Sequence, residues 1–256
     1  MRVPLTVSST PAGSTNPDTP SVLSYFAQRR AAGFIGLLLP LVVSIYDKYL
    51  TLGCLPGSIS ASYYTGIRNY FVGSLCAVGV FLICSIGYKE DKPWSIFAGV
   101  MAFLVAFCPT GPDGCRSPSA SGSPAVTPAI HGIAACLLFL TFAYFCLVLF
   151  IRTKKNGVVD RKPALASLPK RKRQRNMVFL VCGWIMLGAM IVFGAWSGAV
   201  WLLKVWEPRH LLFVVEWVCL WAFGFAWLVK GQQLFKDVDG DGSKREPHHV
   251  GKVESV

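Results

Sequence analysis

The sequence predicts an all-α fold: a polytopic membrane bundle of six transmembrane helices with its N- and C-termini cytoplasmic. Three observations carry that reading. Hydrophobic residues fill 53% of the 256 positions and charged ones only 15%, against about 45–50% and 25% in ordinary soluble domains. The apolar excess sits in long blocks, and Lys and Arg collect on alternate connections between them. The formal net charge of +12 would suggest nucleic acid in a soluble protein, but its confinement to the edges of apolar blocks disfavours that partner.

Residues 1–30 are rich in Ser, Thr and Pro without an apolar period, and are expected to form a disordered N-terminal tail. Their apolar run begins only after Arg29 and Arg30, which is not the order of a cleaved secretory signal, so the first span is expected to stay in the protein. The transmembrane domain, 31–231, holds six apolar stretches at 31–46, 71–88, 94–108, 129–151, 177–203 and 211–229. Each is read as a helix because lipid offers no partners to backbone N–H and C=O groups. The first is short, reaching Leu50 if Asp47 and Lys48 snorkel to the headgroups, and Pro40 should kink it. Pro93 and Pro208 suit the first turns of the third and sixth helices, with Glu207 at the cap of the sixth. The fifth is long and is expected to break after Gly194, leaving Trp196 to Trp206 in the interface. Residues 232–256 read as a flexible cytoplasmic tail.

Placing the N-terminus inside puts 20 of the 25 Lys and Arg residues on inner segments, ten of them between Arg152 and Arg175. That 152–175 cluster is read as a topology anchor, with anionic lipid contact as the alternative. Membrane lipids are the expected partners, a homo-oligomer stays open, and the expected location is the cell (inner or plasma) membrane. Gly73 with Ala77, and Ala222 with Ala226, have the small-xxx-small spacing of close helix contacts.

Most of the nine cysteines lie inside spans, where a thiol acts as a small hydrophobe. Cys108 and Cys115 bracket a turn-rich hexapeptide and form a candidate disulfide on the outer face. Asp237, Asp239 and Asp241 resemble the opening of a calcium loop, but its twelfth position is His248 where a bidentate Glu is needed, so the tail is read as solvated.

The outer face carries the candidate site. The first outer loop holds Ser58, Ser60 and Ser62, followed by Tyr64 and Arg68, one turn apart if the second helix starts early. Glu216 is the one ionisable residue well inside a predicted span. A charge at the centre of a span costs about 2.5–3.5 kcal/mol on insertion scales, so it turns toward the bundle interior or a wet cavity. Arg68, His131, Arg209 and Glu216, with the loop's Ser and Tyr side chains, are therefore expected to line an outward-facing polar pocket. The competing expectation is a structural ion pair of Glu216 with Arg68 or Arg209.

The run from Ser58 to Gly73, Phe107 to Thr110, His131, and Glu216-Trp217 followed by Trp221 to Gly231 resemble an uncharacterised bacterial family of six-helix integral membrane proteins. That resemblance covers about 56–231 and implies a six-helix bundle without an assigned activity. More distantly, a Ser and an acidic residue beside helix-borne histidines resemble the membrane hydrolase superfamily that includes alkaline ceramidases. That likeness implies a zinc cofactor held by His131 and His210, with Glu216 or Asp113 in place of the family's third histidine.

Three functions stay open from the sequence. The first is a binding or sensing protein that holds a small polar ligand or a lipid headgroup, with no enzymatic activity. The second is a membrane-embedded zinc hydrolase using His131, His210 and Glu216. The third is a small transporter or channel subunit in which Glu216 lies on a proton or cation path, although no paired broken helices support it.

Overall fold

A computed structural model of the chain describes residues 20–51, 55–84, 91–111, 126–155, 158–160, 168–205 and 210–231. Within them the protein is helical: α1 (Pro20–Ile45), α2 (Arg68–Ile83), α3 (Lys92–Phe107), α4 (Val126–Tyr144), α5 (Lys170–Leu203) and α6 (Leu211–Lys230). π-helical turns continue α1 through Tyr46–Thr51 and α4 through Phe145–Leu149, and a 3-10 turn covers Ser60–Tyr64. Before α5, Thr153–Lys155 (β1) pairs antiparallel with Val158–Asp160 (β2) in a small hairpin.

Four stretches are long and apolar enough to cross a membrane: Phe26–Leu50, Val126–Leu149, Lys170–Leu203 and Leu211–Lys230. They mark the chain as a membrane protein. Helices α2 and α3 are apolar but have 16 residues each. At 1.5 Å per residue such a helix reaches about 24 Å, less than the ~30 Å hydrocarbon core of a typical bilayer.

The helices pack in sequence order, α1 on α2, α2 on α3 and so on, and α6 returns to α1 to close a ring. Without a hydrophobic drive between helices in lipid, close backbone approach must supply much of the packing. Two glycine pairs provide it. A Cβ on Gly33 of α1 would lie 2.9 Å from the Gly224 carbonyl of α6, and one on Gly224 would lie 2.8 Å from the Gly33 carbonyl. Gly79 of α2 and Gly99 of α3 meet in the same reciprocal way, at 3.1 and 2.8 Å. Between α4 and α6 the ring is filled by aromatic side chains. Phe142 stacks on Phe223 at 4.2 Å, and Trp227 lies 4.5 Å from Phe223 and 4.9 Å from Phe150. Such pairs contribute about 0.5–1.5 kcal/mol each beyond their buried area.

Several expectations are corrected. Residues 20–30, assigned to the N-terminal tail, form the first turns of α1; Pro20 is tolerated as the first helical residue because its missing N–H would have no helical partner. Helix α5 runs through Gly194 without a break for 34 residues. A glycine costs only about 1 kcal/mol against alanine in a helix, and α5 contains no proline. The helix stops instead at Lys204, whose φ of 53° is left-handed and whose N–H caps the Val200 carbonyl at 3.1 Å. Asp47 does not snorkel: the π turn carries it inward, where it is 0% exposed, while Lys48 is exposed. Gly73 faces open space and so makes no close helix contact, whereas Ala222 and Ala226 are buried as expected. Pro93 sits in the first turn of α3. The calcium-like segment, Glu207, Pro208 and Trp206 lie outside the described residues.

Close approach at Gly224 has a measurable consequence. Gly224→Ala should lower thermal stability in detergent by about 1–3 kcal/mol, because the new methyl meets backbone on α1. Gly73→Ala should leave stability unchanged or raise it slightly, through helix propensity alone.

Candidate functional site

The serine loop does more than join α1 to α2. It folds into the end of the ring: Ser58, Ile59, Ser60, Ala61 and Ser62 are all buried. Two carbonyls tie it to the start of α6. The Phe213 N–H, one of the unpaired donors in the helix's first turn, donates to the Gly57 carbonyl at 3.0 Å. His210 donates from Nδ1 to the Pro56 carbonyl at 3.3 Å. Within the loop the Ala61 N–H donates to Ser58 Oγ at 3.1 Å, which starts the 3-10 turn.

This fold aims three donors at Glu216, the sixth residue of α6 and 8% exposed. The Ile59 and Ser60 N–H groups donate to Oε2 at 2.5 and 3.3 Å, and the Ser60 hydroxyl donates to Oε1 at 2.6 Å. The carboxylate therefore faces the bundle interior, held by the loop's backbone. Hydrogen bonds to a charged acceptor are worth about 1.5–3 kcal/mol each, comparable with the insertion cost of the charge.

Below Glu216 lies a cavity of about 40 Å³ in which the centre of a water-sized sphere can move. One water needs roughly 10–15 Å³ by that measure, so the space exceeds a single water. Its wall comes from five of the six helices and from the plug. Glu216 and Ser60 lie at its polar edge, and the remaining lining is apolar, including Leu39, Leu75, Leu138 and Phe223.

The other expected residues are distributed around this end. His131, in α4, is buried and its Nδ1 donates to the Cys108 carbonyl at 2.7 Å. Its Nε2 and the Ser62 Oγ are buried without a hydrogen-bond partner among the described residues. Tyr64 belongs to the 3-10 turn and not to α2, and its hydroxyl donates to the Thr110 carbonyl, which ties the plug to the end of α3. Arg68 is exposed and turns to Tyr63 instead of Tyr64, with its guanidinium 4.1 Å from the ring centroid and 2.5 Å from the hydroxyl. It reaches neither Glu216 nor the cavity, because α2 begins at Arg68 with the side chain on the outer surface. Arg209, Asp113 and Cys115 lie outside the described residues, so only Cys108 of the candidate disulfide is placed, at the end of α3.

His131, His210 and Glu216 do not come together as a zinc set, and the alternative ligand Asp113 lies outside the described residues. Among the described residues no three of His, Cys, Asp and Glu come together as metal ligands. His210 is exposed at the head of α6, and Glu216 is occupied by the plug. One partner of Glu216 escaped the sequence reading: Ile59 acts through a backbone N–H that no side-chain pattern reveals.

Comparison with protein-family models, curated proteins and solved structures finds no match to this chain.

If Glu216 holds the plug, Glu216→Ala leaves two buried N–H groups unpaired, at about 1–3 kcal/mol each. A thiol introduced by Ser62→Cys should resist a water-soluble maleimide in the parent and react in the Glu216→Ala background. Equal labelling rates in the two backgrounds would show that the plug is held by other contacts.

Proposed function

We propose that this chain is a multi-pass membrane protein that binds a small amphiphile at the cavity under the plug. The apolar part of the ligand occupies the cavity, and a hydroxyl or amine donates to the carboxylate of Glu216. The observation that supports this most is an apolar cavity bordered at one edge by Glu216 and Ser60. Pockets of this kind combine apolar walls with a few placed polar groups that fix orientation. Buried Ser62 Oγ and His131 Nε2, both without described partners, are further polar groups near this end, beyond the lining of the cavity itself.

The same reading keeps six spans, with α2 and α3 crossing as short members of the ring, and both termini in the cytoplasm of a cell whose plasma membrane holds the protein. The charge distribution supports it. Arg29, Arg152, Arg175 and Lys230 gather at one end of the bundle, and the serine plug closes the other.

Two measurements test the proposal. Native mass spectrometry of the purified full chain should show a small apolar molecule carrying a hydroxyl or amine. Ala135→Phe, which fills the cavity from α4, should abolish its retention in protein that still elutes as a folded monodisperse species, and Glu216→Gln should weaken it about tenfold or more. Retention unchanged in Ala135→Phe would place the ligand elsewhere and end the reading. For topology, reporters fused to the two ends should both be active in the cytoplasm; reporters on opposite sides would remove one span.

A further inference from the structure

The hydrogen bonds at the polar edge of the cavity all run one way. The Ile59 N–H, the Ser60 N–H and the Ser60 hydroxyl each donate to Glu216, so the donors at this edge are already engaged. A carboxylate has about four acceptor positions on its two oxygens. Oε2 takes the two N–H groups and Oε1 takes the hydroxyl, which leaves a position open on Oε1. The Ser60 oxygen keeps lone pairs of its own. The other lining side chains are apolar. A ligand therefore meets acceptors at this edge and no free donor.

Charge narrows the ligand further. Among the described residues the partners of Glu216 are all uncharged. An ionised carboxylate in apolar surroundings is costly unless a cation pairs with it. An alcohol can donate to Oε1 but leaves that charge unpaired. A carbonyl compound or an anion brings acceptors that nothing here satisfies. A protonated amine donates only and carries the opposite charge. Phe71, Phe139, Phe142 and Phe223 are in the wall, and a cation is attracted to the face of such a ring. At roughly 10–15 Å³ per water, the free space of about 40 Å³ takes about three or four heavy atoms.

We propose that the ligand of this cavity is a small protonated aliphatic amine, whose N–H donates to Glu216 Oε1 while its alkyl groups fill the apolar space. This assignment rests on the cavity reading above and narrows it from donors in general to cations. Aliphatic amines have a pKa of about 10 in water, so they meet the site as cations at neutral pH.

Probes of equal size and similar shape separate the classes: isopropylammonium, isopropanol, acetone and acetate. Their binding to the purified full chain in detergent is read by ligand-observed NMR at neutral pH. The affinity of isopropylammonium should exceed that of isopropanol about tenfold or more, with acetone and acetate weaker still. Glu216→Gln, which keeps an acceptor without the charge, should bring isopropylammonium down to the level of isopropanol. Ser60→Ala also removes a contact to the plug but leaves the carboxylate, and should keep the preference. Loss of the preference in Ser60→Ala as in Glu216→Gln would trace it to the seating of the plug and overturn the proposal, as would a preference undiminished in Glu216→Gln. Equal binding of isopropanol and isopropylammonium, both lost in Ala135→Phe, would overturn the amine and leave the cavity reading standing. Probe binding that survives Ala135→Phe would remove the cavity reading and the amine with it. Binding by none of the probes would overturn the amine, and the cavity would then stand or fall by native mass spectrometry.

Discussion

The carboxylate of Glu216 and the three donors of Ile59 and Ser60 hold this protein's two unlike materials together. A polar loop would ordinarily be excluded from the interior of a helical ring, because buried N–H and hydroxyl groups must find acceptors. A carboxylate on a membrane helix would likewise be costly. Each supplies what the other lacks. The pairing lets the chain close one end of the ring with backbone and small side chains while leaving an apolar space directly beneath it.

The layers follow from that arrangement along the axis of the ring. Beneath the plug lies the cavity, with Phe223 in its wall, and next to it the stacked rings of Phe142, Phe223 and Trp227. Phe150 continues the aromatic layer and supports the cations of the far end. Helix α6 spans all of it, contributing Glu216, Phe223, Trp227 and Lys230 in turn. A change on this helix is therefore felt at the plug, the aromatic packing or the cationic end according to its depth.

Much of the fold was legible because lipid imposes a simple rule on composition. Apolar blocks of sufficient length located every helix, and the solitary Glu216 pointed to the interior. The limits of legibility have equally physical causes. Hydropathy marks which residues avoid water but not which face meets another helix, so Gly73 looked like a contact while Gly79 and Gly99 make one. Charge was assumed to seek headgroups, which holds for Lys48 and fails for Asp47. The loop was read by its side chains, yet the bonds that seat it on Glu216 come largely from backbone N–H groups, which every residue but proline carries. Arg68 was expected near Glu216, in a shared pocket or as one of two candidate ion-pair partners, whereas the nearer Tyr63 ring holds it at the surface.

Ring closure through α1 and α6 also constrains how the protein comes into being. Helices that pack in sequence order can associate as each leaves the ribosome, but the wall between α5 and α1 is missing until α6 is synthesised. Glu216, Leu220 and Phe223 arrive together on that last segment. For most of translation the serine loop thus has neither its acceptor nor an enclosed space to cover. Both are created in one event, when Gly224 settles against Gly33 and α6 meets α1.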